Sequence, residues 1–308
     1  FNDISLNMVG NGYTLAATSQ GLTSSVSQAF DVPAGAPTQL VFDVQPTNVY
    51  PDQTFDPVVR VAILDSLGNR VTNATNPVSL VIGDNPNGGT LSYGGPVTPI
   101  NGYASFAVHI RGTLNFGSGY SLIASSPGLP DVESQPFDVL SPFVVVNTNS
   151  GGLGSLRGAI GASNAAPGQQ AITFNIPGNG PHTVNYIGAA APIIVTDPVT
   201  IDGTTQPGYS GSPMIELNGS QYTAPNPAAL TLQSPNNTIK GLAITGFSST
   251  GIHLRAGSNS NVIVANYIGV SPNGNQASPN HRGITVESNQ NIIGGSDPSQ
   301  RNVISGNS

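Results

Sequence analysis

The stretch NTIKGLAITGFSSTGIHLRAGSNSNVIVANYIGVSPNGNQASPNHRGITVESNQNIIGGSDPSQRNVISGNS, residues 237–308, carries three short motifs that recur in a fixed order. The first reads Asn237-Thr-Ile239, Asn261-Val-Ile263 and Asn291-Ile-Ile293. The second reads Leu242-Ala-Ile244-Thr-Gly246, Asn266-Tyr-Ile268-Gly269 and Asn302-Val-Ile304-Ser-Gly306. The third reads Gly251-Ile252-His-Leu254 and Gly283-Ile284-Thr-Val286. Each motif has the length of a strand and is too short for a helix. The first motif returns after 24 and then 30 residues (261 − 237 and 291 − 261), so one repeat is one circuit of the chain through three strands. The pattern predicts a three-sided parallel coil with Ile239, Ile263 and Ile293 in one interior column. Asn237, Asn261 and Asn291 are expected at a tight corner, because Asn tolerates left-handed backbone and stacked amides bond from coil to coil. The extra residues, 270–282 and 295–301, fall between motifs and are expected as loops.

Upstream, SLRGAIGASN (155–164) places Leu156, Ala159, Ile160 and Ser163 on one helical face and runs into Pro167-Gly168. A short helix lying over the first coil would cover its apolar side chains and open strand edges. Arg157 then serves as a hydrogen-bond donor from cap to coil.

The first half follows a different period. GYTLAATSQGLTSSVSQAFDV (12–32) matches GYSLIASSPGLPDVESQPFDV (119–139) without a gap, with 12 of 21 positions identical at an offset of 107 residues. That offset is the size of one Ig-like sandwich, and Phe1 aligns with Phe106 if an intervening hairpin tip differs by two residues. Residues 1–34 are therefore expected to be the C-terminal part of one Ig-like repeat and 35–140 a complete one. Seven strands are predicted in it, at 40–44, 58–64, 78–82, 90–92, 104–110, 120–125 and 132–139, with turns at Ser66-Leu-Gly-Asn69 and Asn85-Pro-Asn-Gly-Gly89. The linker Ser141-Pro142 is short, which predicts a semi-rigid connection to residues 141–308. Phe1 would then stand inside a sandwich and Ser308 inside a coil, so the expectation is a fragment, or a chain whose neighbours complete both ends.

Composition agrees with an all-β protein. Charged residues are 7% of 308, against about a quarter in ordinary domains, too few to clothe long helices. Hydrophobic residues at 37% still supply a core. A net charge of −7 argues against a nucleic-acid partner, which needs clustered basic residues. With no Cys there is neither a disulfide nor a thiolate ligand, and no apolar run is long enough for a transmembrane helix.

Two resemblances follow from these motifs. The segments PTQLVFDVQPTNVYPDQTFDPVVRVAILDSLGNRVT (37–72), GDNPNGGTLS (83–92) and GYSLIASSPGL (119–129) resemble tandem Ig-like repeats of large bacterial surface proteins. The segments VVVNTNSGGLGSLRGAI (144–160), AITFNIPGNGPHTV (171–184), PVTIDGTTQPGY (198–209) and RNVISGN (301–307) resemble right-handed parallel β-helix proteins of bacterial surfaces that carry an S-L-R-x-A-I motif. Many of those relatives have a Cys before the Ser and an acid after the Arg, where this chain has Gly154 and Gly158. The resemblance implies an extracellular or cell-surface structural or adhesive protein. Its implied partners are copies of itself, in head-to-tail filaments, further repeats, or surface glycans.

Parallel β-helices also carry polysaccharide lyases and glycosidases, whose chemistry needs clustered carboxylates. After Phe143 the acids are Asp197, Asp202, Glu216, Glu287 and Asp297. Asp202 and Glu216 read as turn residues closing strands. Asp197 and Asp202 form a weak candidate pair for acid/base work or calcium, and Asp43, Asp52, Asp56 and Asp65 could contribute a calcium ligand between repeats. His182, His253 and His281 lack metal-ligand spacing and, with Glu287 and Asp297, read as solvated. Tyr13 and Tyr120 hold equivalent repeat positions and read as structural, whereas Tyr186, Tyr209, Tyr222 and Tyr267 read as exposed contacts. The prediction is a protein with no catalytic residues and no cofactor.

Overall fold

A computed structural model describes residues 4–225 and 228–308. The proposed equivalence of Phe1 with Phe106 lies outside them. The chain divides into two compact units, Phe1–Leu140 and Ser141–Ser308. Among the described residues both are built of β-strands, and the single α-helix is α1, Leu156–Ala165.

The first unit is antiparallel. Gln39–Val44, Val59–Leu64 and Tyr103–Phe106 form one three-stranded sheet, and Leu129–Glu133, Leu122–Ser126 and Ser79–Ile82 form another. Alternate residues of both, among them Phe42, Val61, Leu80, Phe106 and Leu122, enter one apolar cluster with Phe55 and Phe137.

Three of the predicted strands are cut. The segment 104–110 splits into Tyr103–Phe106 and Ile110–Arg111, which pair with Val59–Leu64 and Thr90–Leu91 respectively. Likewise Leu129–Glu133 and Phe137–Val139 pair with different partners, because Pro136 between them has no N–H for a continuous ladder. The segment 120–125 breaks at Ser121, with Gly117–Tyr120 in a separate pairing from Leu122–Ser126.

The 107-residue repeat is reproduced bond by bond. Tyr13 and Tyr120 face Phe30 and Phe137 across equivalent bulged pairs, with ring centroids 6.2 and 6.0 Å apart. Each tyrosine hydroxyl donates to the carbonyl five residues upstream, Met8 and Asn115. The Gly12 and Gly119 amides donate to Asp31 and Asp138, and the Leu15 and Leu122 amides donate to the hydroxyls of Ser27 and Ser134. Both glycines have positive φ, 73° and 83°, where a Cβ is strained.

The predicted turn after Leu64 is organised by Asp65. Its side chain accepts from the amides of Gly35, Leu67 and Asn69 at 2.8, 2.9 and 2.9 Å and from the Asn69 side chain.

The second unit is parallel. One sheet orders Val144–Val145, Gln170–Phe174, Val199–Asp202, Thr238–Lys240, Val262–Val264 and Ile292–Ile293. A second orders His182–Gly188, Ile215–Tyr222, Leu242–Thr245, Tyr267–Ile268 and Val303–Ile304; the third orders Ile194–Val195, Leu230–Leu232, Thr250–Leu254 and Arg282–Val286. From Gln170–Phe174 onward the chain visits the three sheets in rotation, so each circuit stacks on the last. In register, Ile201, Ile239, Ile263 and Ile293 form one column, Leu217, Ile244, Ile268 and Ile304 a second, and Leu232, Leu254 and Val286 a third.

Helix α1 buries Leu156, Ala159, Ile160 and Ser163 and packs against Val144–Val145, Gln170–Phe174 and Ile194–Val195. Ser155 caps it, accepting from the Gly158 amide at 3.1 Å. A Cβ on residue 158 would collide with the Gly152 carbonyl, so the acid of the resembling motif does not fit this loop.

The hydrogen bonds on Asp65, that from Gly35 foremost, lower its pKa from the ordinary carboxylate range to about 2, against the opposing effect of burial. A depressed folded-state pKa stabilises the fold fully above the unfolded value of about 4, and this stability is lost as pH falls from there through about 2. Urea midpoints measured across that window should therefore drop in the parent protein, and Asp65→Asn should show a shallower drop from a lower starting value.

Candidate functional site

The chemically richest places in the second unit are its corners and its outward faces. At the first corner, Asn237, Asn261 and Asn291 form a ladder. The backbone amide and Nδ2 of Asn237 both donate to Oδ1 of Asn261, at 3.0 and 2.8 Å, and those of Asn261 donate to Oδ1 of Asn291, each at 3.0 Å. Each inner amide also donates to a carbonyl of its own turn, Ser234 or Ser258. The left-handed residues are not these asparagines but the ones before them, Asn236, Ser260 and Gln290, each with φ 60°. An inward amide needs the preceding residue to turn the chain, so the strain falls one position earlier. Ile239 and Ile263 are fully buried above this ladder, as expected of an interior column, but Ile293 is 44% exposed.

Two further ladders lie at the other corners. Asn266 Oδ1 accepts from the Leu242 amide and Asn302 Oδ1 from the Asn266 amide, at 3.0 and 2.9 Å. Asn280 Oδ1 accepts from the Phe247 amide at 3.0 Å, and Asn307 Oδ1 from the backbone and side-chain amides of Asn280. The second ladder was visible as the Asn that opens Asn266-Tyr-Ile268 and Asn302-Val-Ile304. The third was hidden, because inserted residues separate Gly269 from Asn280 and no spacing marks them as neighbours of Gly306-Asn307.

Arg157 reaches from α1 to the carbonyls of Ser150 and Ala191, at 2.9 and 2.6 Å. Tyr186 and Tyr222, expected outside, are interior: with Phe247 they form an edge-to-face cluster with centroids 5.0 to 6.2 Å apart. The wide circuit here leaves a space that only rings fill, and each hydroxyl finds a carbonyl, Ala229 or Ala190. Burial pushes the Tyr186 hydroxyl pKa far above its ordinary value.

Asp197 stands just before the strand Val199–Asp202, and Asp202 is its last residue. Asp202 caps the short turn Gly203–Thr205 through Thr204 and pairs with Lys240 at 3.4 Å, whereas Asp197 Oδ2 is buried with no hydrogen-bond partner. Glu216 is not a turn residue. It stands within the strand Ile215–Tyr222 and accepts from Thr183 and Thr245 on the flanking strands, at 2.9 and 2.8 Å.

His253, on the strand Thr250–Leu254, and Glu287, one residue past the end of the neighbouring strand Arg282–Val286, both expected to be solvated, are brought together. His253 Nε2 lies 3.1 Å from Glu287 Oε1 in ion-pair range without hydrogen-bond alignment, and Arg255 Nε is 3.8 Å from the same carboxylate. Nε2 of His182 is buried and unbonded, again unlike a solvated residue. Asp297 caps Pro298–Gln300, and the Ser299 hydrogen bonds lower its pKa.

In the first unit Asp43 is held by Arg60 at 2.6 Å and Asp65 by its turn. Among the described residues no group of three acidic, His or Cys side chains could hold a metal ion.

Tyr209 and Tyr267 remain partly exposed, and Tyr209 lies near both Tyr267 and Asp202. Burial first, then the Tyr267 phenol and the Asp202 charge, raise the Tyr209 pKa. The patch thus combines two phenols, a carboxylate and, through Asp202, the Lys240 ammonium.

No protein-family model and no curated protein matches the chain. Two solved structures align with part of it. One is the β-glucuronidase of Parabacteroides merdae, 19% identical, with 37% of this chain and 15% of that one covered and a TM-score of 0.24. The other is a β-glucuronidase of glycoside hydrolase family 2, 21% identical, with 39% and 13% covered and a TM-score of 0.23. The chain thus spans less than a sixth of either enzyme.

Asn261→Ala should lower unfolding free energy by about 3 kcal/mol, since it strands the Asn237 backbone amide and the Ser258 carbonyl inside the fold and takes one bond each from Asn237 Nδ2 and Asn291 Oδ1. Asn261→Asp keeps the acceptor, loses both donations and buries a charge, so denaturant titration should place it no higher than the Ala variant.

Proposed function

We propose that the chain belongs to a non-enzymatic extracellular structural or adhesive protein of a bacterial surface. On this reading residues 1–34 end one Ig-like repeat, residues 35–140 are a complete Ig-like β-sandwich, and residues 141–308 are a right-handed three-sided parallel β-helix. The observation that carries the reading is the 107-residue repeat, whose ring pair, glycine conformation and side-chain bonds recur at equivalent positions. A module copied with its scaffold bonds suits a spacer better than a catalyst. The parallel coils add the same character, since Asn237, Asn261 and Asn291 spend their polar atoms on one another. The acids after Phe143 are dispersed, which supports a polysaccharide lyase or glycosidase less well.

Immunogold electron microscopy of native cells should find the chain on surface fibres or stalks. Label confined to soluble material, together with release of reducing sugar from a polysaccharide, would overturn the reading in favour of an enzyme.

A glycan is the partner favoured by the patch around Tyr209 and Tyr267. A phenol ring offers an apolar face and a polar rim, which suits a pyranose, and Asp202 and Lys240 offer an acceptor and a donor. On a glycan array, Tyr209→Ala and Tyr267→Ala should each cut the retained signal about tenfold, the loss of one ring contact of about 1.4 kcal/mol. Equal retention by both variants would remove this patch as the site.

A further inference from the structure

Among the described residues Tyr93 is the one aromatic side chain that is exposed, at 77%; every other is buried or half-buried. Its φ is 55°, a left-handed conformation that Gly or Asn adopts far more readily than a residue carrying a ring. The strain is imposed from both sides. Ser92 is fastened to His109: its amide donates to the His109 carbonyl at 3.0 Å, and its hydroxyl accepts from the His109 amide at 3.1 Å. On the other side the Gly94 carbonyl accepts from the Leu80 amide, and a Cβ on residue 94 would strike the Leu80 carbonyl. The chain passes from one partner to the other within a single residue, which has to turn left-handed. Folding alone favours Gly or Asn at such a position, because the backbone resists a ring there and the exposed phenol buries little apolar surface.

Beside the ring stands Arg111, its guanidinium carbon 5.8 Å from the ring centre and within cation–π range. The backbone under it is held: Arg111 pairs with Thr90, and its carbonyl accepts from the Asn115 side chain at 3.1 Å. Among the described residues the Arg111 side chain forms no hydrogen bond and no ion pair, in a chain where acids outnumber Lys and Arg by 15 to 8. Arg60 in the same unit is paired with Asp43. An open aromatic ring thus lies next to a guanidinium whose N–H donors are all free.

We propose that Tyr93 and Arg111 form a binding site for an anionic sugar residue, a pyranose bearing a carboxylate or sulfate group. The C–H face of the pyranose stacks on the phenol, whose hydroxyl stays at the wet rim. The anionic group offers two oxygens to the guanidinium fork, which donates a pair of parallel N–H bonds. Because Ser92 and Gly94 fix the backbone that carries the ring, the site is set before the ligand arrives and loses little freedom on binding. It lies in the first unit and is separate from the Tyr209 and Tyr267 patch of the second.

The test measures retention of the full chain on immobilised carboxylated, sulfated and neutral glycans, comparing the parent with Tyr93→Gly, Arg111→Gln and Tyr209→Ala. Tyr93→Gly removes the ring and the strain together, so its urea midpoint should be no lower than the parent's. Tyr93→Gly and Arg111→Gln should each lose about tenfold in retention on an anionic set, while Tyr209→Ala stays within about twofold there. A lowered midpoint in Tyr93→Gly would make the ring a folding element and overturn the proposal. Equal retention of the parent on neutral glycans would overturn the anionic ligand, and full retention by either Tyr93→Gly or Arg111→Gln, or no glycan retention by the parent, would overturn the site. Loss of the anionic signal in Tyr209→Ala alone would assign it to the second unit and overturn this site while the patch stands. Loss in Tyr93→Gly with full retention by Tyr209→Ala on every set would uphold this site and remove the patch.

Discussion

Coil-to-coil register is the constraint on which the second unit depends. A parallel strand exposes the same side chain to the same neighbours at every level, so one slipped residue would turn Ile239 and Ile263 outward and bring their polar neighbours in. Backbone ladders alone resist slippage weakly, because they look the same after any shift of two residues. The corner asparagines differ: Asn261 can receive the Asn237 amide and reach Asn291 in one register only. Buried and fully bonded, each such amide favours the native stacking and penalises every other, because a slipped amide would stay buried without partners.

The same constraint accounts for what surrounds the columns. Insertions can enter only between strands, and the residues after Gly269 form a loop closed by Ser271, Asn273 and Gln276 before Asn280 restores the corner. Where a circuit widens, Tyr186, Tyr222 and Phe247 fill the added volume, and both hydroxyls donate to carbonyls, those of Ala229 and Ala190. Acids follow a similar rule: Glu216 and Asp202 take partners from flanking strands or their own turns, which leaves few charged groups free for chemistry.

In the first unit the corresponding constraint is local. Asp65 ties Gly35 to the turn Leu67–Asn69. Edges are handled by cutting strands: Pro136 and the break at Ser121 pass the chain from one pairing to another, so no strand runs long and flat. Periodicity predicted where apolar residues alternate, but alternation continues across such a transfer, and the three cuts were invisible to it.

The residue pattern by itself determined the all-β composition, the three motifs that alternate between parallel sheets, the apolar face of α1 and the equivalence of Tyr13 with Tyr120. Each of these depends on a spacing of 2, 3.6, about 24 to 30, or 107 residues, and spacing is a property of the chain. Only the tertiary structure decided that Tyr186 and Tyr222 turn inward, that Glu216 sits mid-strand, and that Asn280 lies over Asn307. It also decided that the left-handed turn belongs to Asn236, Ser260 and Gln290 rather than to the asparagines after them. Those outcomes depend on which coil lies above which and on how much space a circuit encloses, quantities that arise only when residues tens of positions apart are brought into contact.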